Sequence, residues 1–246
     1  MPALPELEDQ PWFPQTLRRQ QMDFIGFTVS VFGVYKPIVP VLTALLQSTE
    51  QHHITDLCSG AGGPASYLRR RLPNAEFLLT DLYPQNDIPL EPGMHYCQAP
   101  YNVLTAPLPK AGIATMFNAF HHFSPSQQEA WLQKVAQSKC PLLVVEVLSP
   151  TLASFMTILV TTTIGQLLLA PFVKPFSILR LLLTYVLPIN LFTIAWDGLA
   201  SVLKSVPTHR WQTLSQGCST TSYQFTCYRL GTLFSPLYVL KGIPTA

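Results

Sequence analysis

Ile54-Thr55-Asp56-Leu57-Cys58-Ser59-Gly60-Ala61-Gly62-Gly63-Pro64 is the stretch on which the reading of this chain turns. Ile54 to Cys58 reads as a short strand, and Ser59 to Gly63 as a glycine turn. Pro64 suits the first position of a helix. Arg69 to Arg71 would lie in its last turn, favourable to the helix dipole, before Pro73-Asn74 stops it. A strand feeding a glycine turn at a helix N-terminus offers backbone N–H groups and a positive dipole end. Glycines also let a ligand approach backbone that a Cβ would block. Glu76 to Thr80 predicts a second strand ending at Asp81, 19 residues after Gly62. A carboxylate at that tip is placed to accept both ribose hydroxyls of a nucleotide cofactor.

Alternation continues outward from this unit. A third strand is expected near His95 to Gln98, and a fourth over Ile113 to Asn118. Ser124-Pro125-Ser126-Gln127 opens a helix with a capping box. Pro141 to Leu148 is an apolar run of strand length, as a buried parallel strand requires. Two late strands, Ser222 to Arg229 and Pro236 to Lys241, have no helix between them. Upstream, Gln15 to Phe27 and Ile38 to Gln47 read as helices. The pattern is α/β: a doubly wound, mostly parallel seven-stranded sheet with N-terminal helices and a hydrophobic helical insertion after the fifth strand.

Two cofactors compete for the glycine turn. Gly60-Ala61-Gly62-Gly63-Pro64-Ala65 satisfies GxGxxA, the dinucleotide fingerprint. Yet Asp56 sits inside the first strand, where a buried carboxylate needs hydrogen-bond donors. The cationic amino group of S-adenosylmethionine, or the N–H groups of the turn, would supply them.

Here the sequence resembles the class I S-adenosylmethionine-dependent methyltransferases. Their first motif, D-x-G-x-G-x-G, aligns with Asp56 to Gly62, with Cys58 replacing the first glycine. The resemblance extends to Asp81 as the ribose-binding acid. Phe117-Asn118-Ala119-Phe120-His121-His122-Phe123 is similar to the segment after the fourth strand that closes over the cofactor. Glu146 ends the fifth strand, and the two late strands resemble the family's closing antiparallel pair. S-adenosyl-L-methionine is the cofactor this implies, held by Asp56, Gly60, Ala61, Gly62, Asp81 and Asn118. The family's acid after the third strand, which accepts from the adenine amino group, has Asn102 as its counterpart. An amide oxygen still accepts that bond. His121 or His122 is a candidate base for an acceptor hydroxyl or nitrogen, with packing against the adjoining aromatics as the alternative. His52 and His53 are expected to be exposed, and no ligands pair at metal spacing.

The chain has 246 residues, 11% of them charged against about 25% in an ordinary soluble domain. Its mean hydropathy of +0.25 excludes disorder, and a net charge of +2 without a basic run gives no nucleic-acid footprint. Five scattered cysteines without a CxxC pair form neither a disulfide framework nor a zinc site, which points to the cytoplasm. The acidic, proline-broken start is not that of a signal peptide.

From Thr151 to Leu203 only Lys174, Arg180 and Asp197 are charged, three in 53 residues. Leu152 to Ala170 is one uncharged segment, and Leu181 to Trp196, interrupted by Pro188, is another. Ser154, Thr157, Thr161 and Gly165 mark a face for close helix packing. Trp196-Asp197-Gly198 reads as a turn, or as an acid facing the acceptor. The stretch is expected to form a cap over an apolar acceptor, with peripheral membrane contact through 151–203 left open and a spanning hairpin as the alternative.

The expected segments are an N-terminal helical segment (1–50), a cofactor-binding core (51–150), a hydrophobic cap (151–204) and the rest of the core (205–246). The expected activity is methyl transfer to a small apolar or lipid-like acceptor. The competing readings are an NAD(P)-dependent oxidoreductase and a non-catalytic, membrane-associated S-adenosylmethionine-binding protein.

Overall fold

Every residue of Ile113–Phe117 and of Leu142–Glu146 is buried, as befits the two central strands of a sheet covered on both faces. The structure, a computed structural model, describes residues 4–85, 88–232 and 235–245. Its strands are β1 (His53–Leu57), β2 (Glu76–Thr80), β3 (Met94–Tyr96), β4 (Ile113–Phe117), β5 (Leu142–Glu146), β6 (Tyr223–Gly231) and β7 (Pro236–Pro244). They form one sheet in the order β3-β2-β1-β4-β5-β7-β6. The first five are parallel, while β7 runs antiparallel to both β5 and β6. This is the seven-stranded, mostly parallel sheet that the sequence predicts. The strand order changes direction between β1 and β4, which places a ligand crevice at the carboxyl ends of those strands.

The helices are α1 (Gln15–Val31), α2 (Ile38–Ser48), α3 (Gly63–Arg69), α4 (Pro125–Ser138), α5 (Leu152–Val160), α6 (Gln166–Leu169), α7 (Ile178–Leu181), α8 (Ile189–Lys204) and α9 (Thr208–Cys218). The chain divides into two compact units. One is built from Gly33–Val147 and Pro207–Ala246, the other from Met1–Phe32 and Leu148–Val206.

In the α/β unit, Ser124 caps α4 as its sequence predicts. Its hydroxyl accepts from Gln127 N, and the Gln127 side chain accepts from Ser124 N. Phe120 stacks on Trp211 of α9 at 5.4 Å between centroids and lies 6.0 Å from Trp131 of α4. That aromatic cluster fixes the start of the turn after β4, because each ring buries a large area with a preferred geometry.

In the helical unit, Leu152–Phe172 is one continuous helix of 21 residues. Its middle widens into a π turn at Thr161–Gly165. Thr162 and Thr163 bond back to the carbonyls of Ile158 and Leu159, which loosens the ordinary ladder there. The buried positions are Ser154, Thr162, Gln166 and Ala170, so only Ser154 of the predicted Ser154, Thr157, Thr161 and Gly165 stripe is among them. The wider turn advances the buried face by a residue. A Cβ on Gly198 of α8 would meet Ile158 at 2.6 Å and Thr162 at 3.5 Å, so α8 packs closely on this face.

The helix α8 also runs straight through Trp196-Asp197-Gly198, so the expected turn is absent there. Asp197 is instead a buried anchor that accepts from the backbone N–H of Leu7 and Glu8 and from Gln21. Asn190 donates to Gln20 and Thr184, and Arg180 pairs with Asp23 at 2.6 Å. A second segment, Ile178–Val186, meets α8 at a bend of 83° around Pro188.

Candidate functional site

The site is assembled where β1, β2 and β4 end. Register places Asp56 of β1 beside Thr115 of β4, and the Thr115 hydroxyl donates to its carboxylate at 2.7 Å. Burial pushes the Asp56 carboxyl up to about 7, against the hydrogen bonds from Thr115 and Ser59. The chain then enters a left-handed run, with Cys58 at φ 56°, Gly60 at 51° and Gly62 at 69°. Only glycine adopts this region without strain. Cys58, standing where the family motif has glycine, carries a backbone cost of about 1–2 kcal/mol. Burial also pushes its thiol up to about 12, so it is not a nucleophile at neutral pH. Half-buried Ala61 lies between the two glycines, and a Cβ on Gly62 would fall 2.7 Å from Leu79.

Asp81 reaches this turn directly. One carboxylate oxygen accepts from Gly60 N at 2.9 Å, and the other from Tyr83 N at 2.9 Å. A carboxylate has about four acceptor sites, so each oxygen keeps capacity for a ligand hydroxyl. From β3, Tyr96 donates its hydroxyl to the Gly60 carbonyl at 2.9 Å and so steadies the turn. Tyr101 N donates to the Asp81 carbonyl at 2.8 Å, which brings the loop after β3 beside the same tip. Asn102 is exposed there, and its amide oxygen accepts from Leu104 N at 3.1 Å.

After β4 the chain takes another left-handed step at Asn118, φ 50°. The Asn118 amide oxygen accepts from Val147 N, and its amide nitrogen donates to the hydroxyl of Tyr35. Tyr35 is fully buried and edge-on to Phe117. Phe120–His122 then forms one tight turn. Glu146, the last residue of β5, holds it: Oε1 accepts from the backbone N–H of Phe120 and His121, and Oε2 meets His121 Nδ1 at 2.7 Å. The two histidines differ as expected of neighbours in a turn. His121 is buried and His122 exposed, with their rings 4.5 Å apart. His52 and His53 are exposed, as expected.

The residues read as cofactor-binding or basic thus gather along the carboxyl edge of the parallel strands, whereas Asp197, read as a turn or an acid facing the acceptor, is held inside α8. Asp81 touches the glycine turn, Asp56 lies beneath it, and Asn118, His121 and His122 line the neighbouring turn. Tyr35, Tyr96, Thr115 and the clamping role of Glu146 were not legible, because each acts on a residue distant in the chain. A periodic signal exists for none of them.

Folds of this kind recur among solved structures. The plantazolicin methyltransferase BpumL, in complex with S-adenosylhomocysteine, superposes with a TM-score of 0.60 at 10% identity, covering 98% of this chain and 94% of that one. This is the class I methyltransferase fold. Human N-acetylserotonin methyltransferase, in complex with S-adenosylmethionine, superposes with a TM-score of 0.50 at 13% identity over 94% of this chain. The chain spans 58% of that enzyme's length. No protein-family model and no curated protein matches the sequence. The methyltransferase fold departs from the dinucleotide-binding sheet at one edge. The latter has strand order 3-2-1-4-5-6 and is essentially parallel, whereas here β7 inserts antiparallel between β5 and β6.

Proposed function

We propose that this chain is an S-adenosylmethionine-dependent methyltransferase acting on an apolar or lipid-like acceptor. The observation that carries the reading is the contact of the Asp81 carboxylate with Gly60 N, at the switch point of a sheet closed by an antiparallel hairpin. The residues fit the cofactor by the chemistry of their groups. Asp81 offers paired acceptor oxygens suited to a vicinal diol. The turn at Gly60 and Gly62 lets a ligand lie against backbone. Asp56, whose carboxyl is pushed up to about 7 by burial, gains from any cation brought near it.

When bound, the cofactor supplies an electrophilic methyl carbon on a sulfonium. The chain's task is to hold an acceptor nucleophile in line with it, and proximity carries most of the rate. A carboxylate at Nδ1 of His121 fixes the proton on that nitrogen, so Nε2 is the basic one. His121, positioned by Glu146, is the candidate base of this reading, with the exposed His122 beside it as the other candidate. An apolar acceptor is supported by the surface of 152–203, where large hydrophobic side chains dominate the exposed positions.

Calorimetry with S-adenosylhomocysteine and with NADH tests the cofactor. Binding of the first and not the second is expected, and the reverse result sends the chain to the oxidoreductases. Transfer of a labelled methyl group into an apolar extract then tests the enzyme. Binding without any transfer to small molecules or lipids would leave a binding protein.

A further inference from the structure

The interior of the helical unit combines a small apolar cluster, Phe24, Val173 and Ile194, with a paired polar set. In that set Gln21 meets Asp197, Gln20 meets Asn190, Asn190 meets Thr184, and Arg180 meets Asp23. Its surface is far more apolar than that interior would require. Among the described residues, 18 of the 27 exposed large hydrophobic side chains fall between Leu152 and Leu203. Leu168 is 66% exposed, whereas Gln166, two residues away, is 1% exposed. Between those limits every exposed residue is apolar, aromatic or proline, with the single exception of Lys174. In water the stable arrangement is the reverse, and a buried polar set or an exposed apolar surface is each informative alone.

We infer that the apolar surface of residues 152–203 sits in the acyl-chain region of a lipid bilayer, entered and left from one side. Four features select lipid over a protein partner. Protein interfaces carry a polar rim and are only about 56–65% apolar, and a rim is missing here. Leu152–Phe172 has 21 residues, about 31 Å of helix, against a hydrocarbon core of about 30 Å. Charges within a membrane are paired and face the protein interior, as Arg180 and Asp197 do here. Lys174 lies at the break between the two apolar segments, with Phe172 and Phe176 exposed beside it. That combination of one cation and aromatics suits a lipid–water boundary. The stretch leaves the α/β unit after Val147 and rejoins it at Pro207, so both of its ends belong on one side of the membrane. The inference rests on neither the cofactor turn nor the histidines, and it shares with the acceptor reading only the apolar surface of 152–203. Failure of flotation would remove that support for the acceptor and leave cofactor binding, read by calorimetry, untouched.

The full-length chain mixed with neutral phosphatidylcholine vesicles should float with them, at low and high salt alike, and should resist an alkaline carbonate wash. Release by carbonate would reduce the contact to surface adsorption and overturn the inference. So would a chain that stays dense, whether as a monomer or as a discrete oligomer that covers the surface itself. Leu168→Asp with Phe192→Asp alters two exposed side chains and should lower vesicle partition by about 10-fold or more. Near-ultraviolet circular dichroism reads the fold of that variant whether or not it binds S-adenosylhomocysteine. On the unaltered chain, brominated phosphatidylcholine should quench the exposed Trp196, and unchanged fluorescence would count against insertion.

Discussion

Asp81 is the residue whose removal tells most about the site. Asp81→Ala removes the acceptor for ribose hydroxyls and also frees Gly60 N, so S-adenosylmethionine affinity should fall about 10- to 150-fold. Calorimetry on the folded variant measures it, and unchanged affinity would end the assignment. The histidines separate by their surroundings. His121→Ala should lower kcat by about 10²- to 10⁴-fold with S-adenosylhomocysteine binding retained, whereas His122→Ala should turn over normally. Equal, native rates in both would leave positioning alone as the source of catalysis. At this scale the sequence was legible where a motif is local. Asp56, Gly60, Gly62 and Asp81 follow from a spacing that a strand, a turn and a second strand impose. Tyr35 was not legible, because it meets Asn118 across 83 positions and no pattern near Tyr35 announces that.

At the scale of elements, local chemistry predicts ends better than faces. The capping box at Ser124 was visible because its two partners are three residues apart. Ser124→Ala should cost about 0.5–2 kcal/mol, read as a lower denaturant midpoint with an unchanged slope. No change in midpoint would mean that the aromatic cluster, not the cap, holds the start of α4. The helix α9 carries a signal that could have been read: Trp211, Leu214, Ser215 and Cys218 are its buried residues, at helical spacing. The inward face of Leu152–Phe172 was not readable from a regular period, since threonines at Thr162 and Thr163 widen a turn. Asp197 misled for a related reason. An acid followed by glycine suggests a turn, yet tertiary partners at the N-terminal end of the chain hold it within a helix.

For the whole molecule, the buried Asp56 links stability to pH. Its carboxyl is pushed from 3.8 up to about 7, so between those values the folded chain holds a proton that the unfolded chain has lost. Stability is therefore favoured at the acid end of that window and falls as pH rises through it, by this group's contribution. Melting temperatures at pH 5 and pH 8 should differ in that direction, and Asp56→Asn should flatten the difference. A variant with the same slope as the native chain would place the titration elsewhere.

Chain order adds a consequence in time. The helix α1 is synthesised early, yet its partner Asn190 follows Gln20 by 170 residues, and Asp197 follows Gln21 by 176. The sheet waits too, since β5 gains its outer neighbour only with β7. A ribosome must therefore deliver nearly the entire chain before either unit can close. The nascent protein travels with its apolar segments uncovered, and whatever receives those segments acts before the cofactor fold is complete.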